Sequence, residues 1–343
     1  MITLEMLQLA TYFVMVFAII AYATLDGFDI GVGLLHLFTK GDHERRVMIN
    51  SIGPVWDGNT TWIVIGSGVL FAGFPKAFAN VTSSLYTATM ILLFGFMMRA
   101  ASIEFRSKKP SYAWRYFWDG AFAFASLVLA VSVGLILGNL VRGLPLNKLG
   151  VYEGGLAPLI TPYTVLVAIL GISLFMLHAS IYLLMKTENP FHDKIRSWVK
   201  PLIALFLILW AITTAATFIY NKHMIEPFFK HPSLCACILF SLMSIAGIVH
   251  YVRKRRDGKA FLCSCLSIVF LFILFVVGTF PNIVLSTVEP ETHSMTLYNS
   301  SASRTALMFM AIIGLTGIPL SFFYGSYVHK VFKGKVKIDH TSY

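Results

Sequence analysis

The sequence predicts an all-α integral membrane protein with nine transmembrane helices. Its 343 residues are 57% hydrophobic and only 13% charged, which is too apolar for a soluble domain. Apolar stretches of the length needed to cross a membrane recur along the chain, and the basic residues gather in every second connection between them. These observations give the fold class before any motif is considered.

Nine apolar stretches are each long enough to cross a hydrocarbon core of about 30 Å. They cover residues 7–37, 52–74, 79–98, 117–141, 162–185, 202–220, 234–252, 261–280 and 306–327. Few residues remain outside them, so residues 1–343 are predicted to form a single polytopic domain. The first stretch is far longer than the apolar region of a signal peptide, so we expect it to remain as a helix.

The basic residues predict the orientation of the chain. Of the 27 Lys and Arg residues, 21 fall in the connections after helices 1, 3, 5 and 7 and in the C-terminal tail. Positively charged connections face the cytoplasm, which places the N-terminus outside and the C-terminus inside. The net charge of +11 therefore reflects topology and does not indicate nucleic-acid binding. The long outer connections, 142–161 and 281–303, are expected to form ordered caps.

Three carboxylates interrupt the first two apolar stretches. Asp26 and Asp29 are three residues apart and share a face of helix 1, while Asp57 lies near the start of helix 2. The face of helix 1 also carries Tyr22, Gly33 and His36. Acids inside a membrane are costly and usually functional, and burial lets a carboxyl group pass protons near neutral pH. We therefore predict a proton pathway through Asp26, Asp29 and Asp57.

Structural interpretations of the same charges remain open. Asp57 follows Pro54 near a helix start, where a carboxylate is favourable for the helix alone. Arg99 follows the apolar run FGFMM directly and either pairs with Asp29 or Asp57 or extends its guanidinium group to the inner surface. The remaining charged residues of this region are interpreted as ordinary residues of that surface: Glu104, Arg106, Arg115 and Asp119.

The histidines do not indicate a haem site. Four of the ten lie in or near the apolar stretches, namely His36, His178, His250 and His329. No pair within one helix has the spacing of two axial ligands, and histidines in membrane bundles more often hydrogen-bond to a neighbouring helix. The chain is therefore predicted to bind no haem and no metal. Motifs of soluble enzymes, such as a P-loop or H-E-x-x-H, are absent from the sequence.

Several motifs resemble subunit II of the cytochrome bd-type quinol oxidases. They are LDGFDIGVG at 25–33, ERRVMINSIGPVWDGNTTW at 44–62, FAGFP at 71–75, FRSKK at 105–109, WRYFWD at 114–119 and GTFPNIVLS at 278–286. The similarity is dense over the first 120 residues and thinner afterwards, and the chain departs from the family block at Val55 and Thr60. The resemblance implies a respiratory complex of the cytoplasmic membrane that oxidises quinol and reduces dioxygen to water.

The resemblance also implies partners and site residues. A second protein, subunit I, would carry haems b and d, and this chain would supply cytoplasmic protons and a path for dioxygen. Proton-path roles would fall to Asp29 and Asp57, with Asp26 nearby. Residues along the subunit contact or the gas path would be Trp56, Asn59 and Trp62. A small single-helix subunit, bound membrane lipid and a structural quinone in this chain are left open.

A proton-coupled secondary transporter that uses the same acids is the alternative function. A transporter shows inverted repeats, with broken helices at matching positions of its two halves. Here only helices 1 and 2 contain such breaks, which favours the oxidase subunit. A stand-alone cytochrome b is the third interpretation, and absorbance spectroscopy of the purified chain would decide it.

Overall fold

A computed structural model describes residues 2–148 and 150–338, which are mostly helical. Residues 1, 149 and 339–343 of the predicted domain lie outside the described residues. The helices are α1 Leu4–His36, α2 Asp42–Ile52, α3 Trp56–Gly73, α4 Pro75–Ser84, α5 Tyr86–Phe105, α6 Tyr112–Arg142, α7 Pro162–Lys186, α8 Phe191–Tyr220, α9 Glu226–Lys230, α10 Cys235–Arg253, α11 Asp257–Thr279, α12 Pro290–His293 and α13 Arg304–Val331. Two short strands, β1 Asn282–Val284 and β2 Met295–Thr296, pair in antiparallel fashion.

Eight helices of the described chain are long and apolar enough to cross a membrane: α1, α5, α6, α7, α8, α10, α11 and α13. Helices α3 and α4 form a further candidate only as a pair, because the chain bends by 117° between them. The predicted all-α membrane fold is therefore confirmed, and the described residues contain eight candidate spans, or nine when the bent pair counts as one.

Two predicted segments differ from the structure. The connection after α1, left between the predicted stretches 7–37 and 52–74, contains the helix α2, whose apolar side is buried. The predicted stretch 79–98 joins the end of α4 to the start of α5, which are separated at Leu85. The preceding break, between α3 and α4, lies at Pro75, because proline cannot continue α3 but is well suited to the first turn of a new helix.

Helix α1 lies against α3, α6, α7, α11 and α13 and is the centre of the bundle. Two glycines permit close contact. A Cβ atom on Gly31 would lie 2.0 Å from the carbonyl oxygen of Phe175 in α7, and one on Gly33 would lie 1.9 Å from Ser126 Oγ in α6. Small residues allow helix backbones to approach closely in membrane proteins. The polar face of α1 is consequently enclosed by its neighbours.

The two ends of the bundle are organised differently. At one end, the connections 142–161 and 281–303 join through backbone hydrogen bonds between Leu144 and the segment Leu285–Thr287, each 2.9 Å long. The other end, which we call the basic end, is where α1, α5, α7 and α13 finish. Ion pairs join helices there, including Lys194–Glu44 at 2.5 Å. The predicted ordered caps are thus present at the opposite end.

Candidate functional site

A buried ion pair connects α1 to α5. Arg99 donates from Nη1 to Asp26 Oδ2 and from Nη2 to Asp26 Oδ1, both at 2.8 Å. The exposed fractions of Asp26 and Arg99 are 0% and 1%. Arg99 Nη2 also donates to Thr60 Oγ1 at 2.8 Å, which brings α3 into the same contact. Two parallel charged hydrogen bonds fix both groups and neutralise the charge of Asp26.

The interpretation that paired Arg99 with an acid therefore named the wrong acids. Arg99 does bind an acid within the bundle, but that acid is Asp26 and not Asp29 or Asp57. Residues three apart on a helix point in directions that differ by about 60°. This difference turns Asp26 toward α5 and Asp29 toward α3.

Asp29 lies beside this pair and differs from Asp26 in its partners. Asn59 Nδ2 donates to Asp29 Oδ2 at 2.8 Å, whereas Asp29 Oδ1 is buried and accepts no hydrogen bond from the described residues. Asp29 is 0% exposed, and within residues 2–148 and 150–338 it takes part in no ion pair. Asp29 can therefore bind and release a proton without separating a fixed pair of opposite charges.

Asp57 is placed apart from the other two acids. Its side chain is exposed in the first turn of α3. The structure therefore brings together Asp26 and Asp29, whereas Asp57 lies on the surface of the isolated chain. A role for Asp57 in the same pathway requires a surface route to the buried cluster.

The three residues assigned to the subunit contact or gas path differ in exposure. Asn59 and Trp62 are each 3% exposed, and Trp62 packs edge-on against Phe17 with ring centroids 5.7 Å apart. Trp56 is half-buried at the start of α3. Trp56 alone among these three offers appreciable surface to another protein.

A second charged cluster, missed by the sequence analysis, lies at the basic end. The carboxylate of Asp119 in α6 contacts nitrogen atoms of three side chains. The nitrogen–oxygen distances are 2.6 Å to His36, 2.9 Å to Arg45 and 2.5 Å to Arg106. Arg106 also binds Asp42 at 2.8 Å. Asp119 and Arg106 are each 1% exposed, so the interpretation of these two residues as ordinary surface residues is wrong. Helix α2 encloses them, and its absence from the prediction explains the error.

The histidines within the bundle have protein partners. His178 contacts Ser264 Oγ at 2.8 Å through Nδ1 and the Thr24 carbonyl oxygen at 3.0 Å through Nε2. His329 Nε2 lies 3.4 Å from Asn59 Oδ1. The described residues contain no group of three or more His, Cys, Asp or Glu side chains placed to hold a metal ion.

The family model of the cytochrome bd terminal oxidase subunit II matches residues 7–332. The chain belongs to this family. Three relatives match almost their full lengths. Cytochrome bd-I ubiquinol oxidase subunit 2 of Escherichia coli K12 is 26% identical, covering 98% of this chain and 97% of the relative. The cytochrome bd ubiquinol oxidase subunit 2 of Bacillus subtilis is 26% identical with 94% of both chains covered, and a probable cytochrome oxidase subunit 2 of Haemophilus influenzae is 28% identical over 94% and 93%.

The fold of this subunit II agrees with a solved structure. A chain of the bd oxidase from Geobacillus thermodenitrificans superposes with a TM-score of 0.78 at 16% identity, covering 95% of this chain and 98% of that one. Family membership confirms the resemblance inferred from the motifs, and with it a subunit of an oxidoreductase complex of the cytoplasmic membrane. It also decides against the transporter alternative.

Proposed function

We propose that this chain is the haem-free second subunit of a quinol:oxygen oxidoreductase and supplies cytoplasmic protons to the oxygen-reducing haem. It pairs with a subunit I that carries haems b and d, and quinol and dioxygen are the substrates of the complex. The observation that carries the proposal is the buried carboxyl group of Asp29: among the described residues, one of its oxygens accepts no hydrogen bond and it forms no ion pair. Intramembrane acids of this kind are typical of proton relays.

The two neighbouring acids have different roles in this proposal. Asp26 is a fixed charge, because Arg99 holds both of its oxygens. Asp29 is the proton carrier, since its only described partner is a neutral amide. Asp57, exposed near the start of α3, collects protons at the surface that subunit I covers. Protons taken from the cytoplasm for oxygen reduction, and quinol protons released outside, separate charge without a pump.

The exposed side of α3 is the proposed contact with subunit I. Val64 and Phe71 are 63% and 61% exposed on this helix, and they share it with Asp57 and Trp56. Trp62 is buried on the opposite side of α3, which faces the bundle, so we assign it to the gas path and Trp56 to the subunit contact. A small single-helix subunit and membrane lipid would occupy other exposed apolar faces, of which α13 has the largest share.

Replacement of Asp29 by asparagine in the complete two-subunit oxidase tests the proton role. The amide keeps the size and hydrogen bonding of the side chain but cannot carry a proton. Asp29→Asn should therefore leave the haem content unchanged and lower quinol-dependent oxygen consumption by about tenfold or more. Asp57→Asn should also lower oxygen consumption without loss of assembly. Asp193→Asn is the matched control, because Asp193 is an exposed acid in the first turn of α8.

Two results would contradict the proton role. One is unchanged oxygen consumption together with unchanged proton uptake in a fully assembled Asp29→Asn enzyme. The other is an equal loss in the Asp193→Asn control, which would reflect surface charge in general. If only Asp57→Asn retains full activity, Asp57 acts solely on the stability of α3, and the relay begins elsewhere.

The proposal includes a topology with nine spans, an outside N-terminus and a cytoplasmic C-terminus. The ninth span is the bent pair α3 and α4, and the asymmetry of the basic residues supports the orientation. Cys235 provides a test, because it is exposed at the start of α10, away from the basic end. In a variant that keeps only this cysteine, a membrane-impermeant thiol reagent should label intact cells. Labelling only after permeabilisation would reverse the orientation.

An apolar cavity could hold the structural quinone. It measures about 350 Å³ and lies between α6, α7, α8 and α11, with Tyr163, Trp210, Thr213 and Phe275 among its lining residues. Thr213 Oγ1 is buried and has no hydrogen-bond partner in the described part of the chain. It is suited to donate to a quinone carbonyl oxygen, while the apolar walls accommodate the ring and tail. Thr213→Val should lower the quinone that copurifies with the complex, and Thr316→Val, at an exposed position of α13, should not.

A further inference from the structure

A line of three polar groups leads from Asp29 to the basic end of the bundle. Asn59 of α3 donates through Nδ2 to Asp29 Oδ2 at 2.8 Å, and its Oδ1 lies 3.4 Å from His329 Nε2. Asp29 and Asn59 are buried, whereas His329 is partly exposed two residues before the end of α13. Within the described chain, these contacts connect the proposed proton carrier to a partly exposed titratable side chain.

We propose that His329 is a positioning residue, which fixes the Asn59 carboxamide and thereby sets the hydrogen bond that Asp29 receives. This inference rests on the proposed function, in which Asp29 carries protons. In the observed arrangement, His329 Nε2–H donates to Asn59 Oδ1, which leaves Asn59 Nδ2 to donate to Asp29. Asp29 Oδ1 then remains free for proton exchange.

The carboxamide of Asn59 links the state of His329 to that of Asp29, because its two ends are chemically different. An amide presents an acceptor on one side and a donor on the other, so rotating Asn59 by 180° exchanges the two. The rotated group would offer its oxygen to Asp29, and only a protonated Asp29 could donate to it. It would also offer Nδ2 to His329, which then needs an unprotonated Nε2. The proton position on His329 and the protonation of Asp29 are thus linked without a proton passing through the amide.

The surrounding contacts hold His329 in place. Its ring lies edge-on to Phe28, with centroids 6.3 Å apart. Beyond it, the C-terminal segment folds back onto α7: Lys186 Nζ donates to the Phe332 carbonyl oxygen at 2.7 Å, and Val336 N donates to the Lys186 carbonyl oxygen at 2.9 Å. The Lys186 ammonium group also acts electrostatically on His329 from α7. The end of α13 is therefore fixed relative to α1 and α7.

Variants of His329 in the complete oxidase test the inference. His329→Leu removes the donor to Asn59, whereas His329→Gln retains an N–H group on a side chain of similar reach. The first should lower oxygen consumption about 3- to 10-fold, and the second should remain within about twofold of the parent enzyme. The infrared carbonyl band of the protonated Asp29 carboxyl, identified by its loss in Asp29→Asn, should titrate with a midpoint shifted by about half a pH unit or more in His329→Leu only.

The control is His250→Leu, because His250 is an exposed histidine at the end of α10. Haem content is measured for every variant. If His329→Leu does not assemble, His329→Asn replaces it, since its shorter side chain retains polarity but does not reach Asn59. An unshifted band in an assembled variant that lacks the donor overturns the inference, as does an equal loss of activity in His329→Leu and His329→Gln. Full activity of Asp29→Asn would instead overturn the proposed function, and the infrared band would still decide the role of His329.

Discussion

Replacing Arg99 with methionine should destabilise the helix bundle by about 3–5 kcal/mol, because it leaves the Asp26 carboxylate buried without a counter-charge. Two observations support this magnitude. Arg99 makes two hydrogen bonds of 2.8 Å to Asp26, and hydrogen bonds to charged groups contribute about 1.5–3 kcal/mol each. Both side chains are also almost completely buried, so water cannot replace the lost contact.

A second variant separates the pair from general damage to α5. When Asp26→Leu and Arg99→Met are combined, neither charge of this pair remains buried, and stability should return to within about 1–2 kcal/mol of the parent protein. The assay is denaturant unfolding of the purified complex, with haem content as a measure of assembly. The single change should alter the unfolding equilibrium constant about a hundredfold or more. Arg99→Lys should fall between the two, because an ammonium group cannot form both parallel hydrogen bonds.

The double variant decides the argument. If Arg99→Met and the combined variant unfold at the same denaturant concentration, the loss comes from packing of the arginine stem and not from the unpaired carboxylate. If Arg99→Met is as stable as the parent protein, Asp26 must already be neutral there, and its assignment as a fixed charge is wrong.

Two further contacts give predictions measured on the same complex. Asp119→Asn should cost about 3–5 kcal/mol of unfolding free energy, because Asp119 is buried among three cationic or ring nitrogens. Asp42→Asn should cost about 1 kcal/mol or less, since the Asp42 side chain is 43% exposed, and equal losses would contradict the role of burial. Gly31→Ala should reduce the yield of haem-containing complex, because its Cβ atom would meet the Phe175 carbonyl oxygen at 2.0 Å. Gly120→Ala, with no atom within 4 Å, is the control and should assemble normally.

The sequence contained enough information to predict the class of fold and part of the site. Apolar stretches of about 20 residues identify membrane helices, because each must satisfy its backbone internally. The spacing of Asp26 and Asp29 predicted a shared face of α1, and the structure confirms that both are buried there. The position of Arg99 directly after an apolar run left open whether it pairs with Asp29 or Asp57 or extends to the inner surface. The structure shows an ion pair with Asp26, which neither interpretation named.

Other features depended on contacts that hydropathy does not encode. Polar residues of α4 and apolar residues of α5 averaged into one apparent stretch, so the division at Leu85 was missed. The burial of Asp119 depends on α2 folding across the end of α1, and charges near a helix end usually face water. The position of His36 on the same face of α1 as the two acids was the one signal that could have indicated a second cluster.

Asp26 and Asp29 show that the role of a buried acid follows from its partner and not from its residue type. The two residues have the same exposure and lie on the same helix face, yet one binds a guanidinium group and the other an amide. Asp26→Asn should consequently remove the paired hydrogen bonds between Arg99 and the Asp26 carboxylate. It should therefore reduce the amount of assembled, haem-containing oxidase. Asp29→Asn should preserve assembly and reduce oxygen consumption per haem. The reverse pair of outcomes would exchange the two roles, because a fixed counter-ion is needed for folding whereas a proton carrier is needed only during turnover.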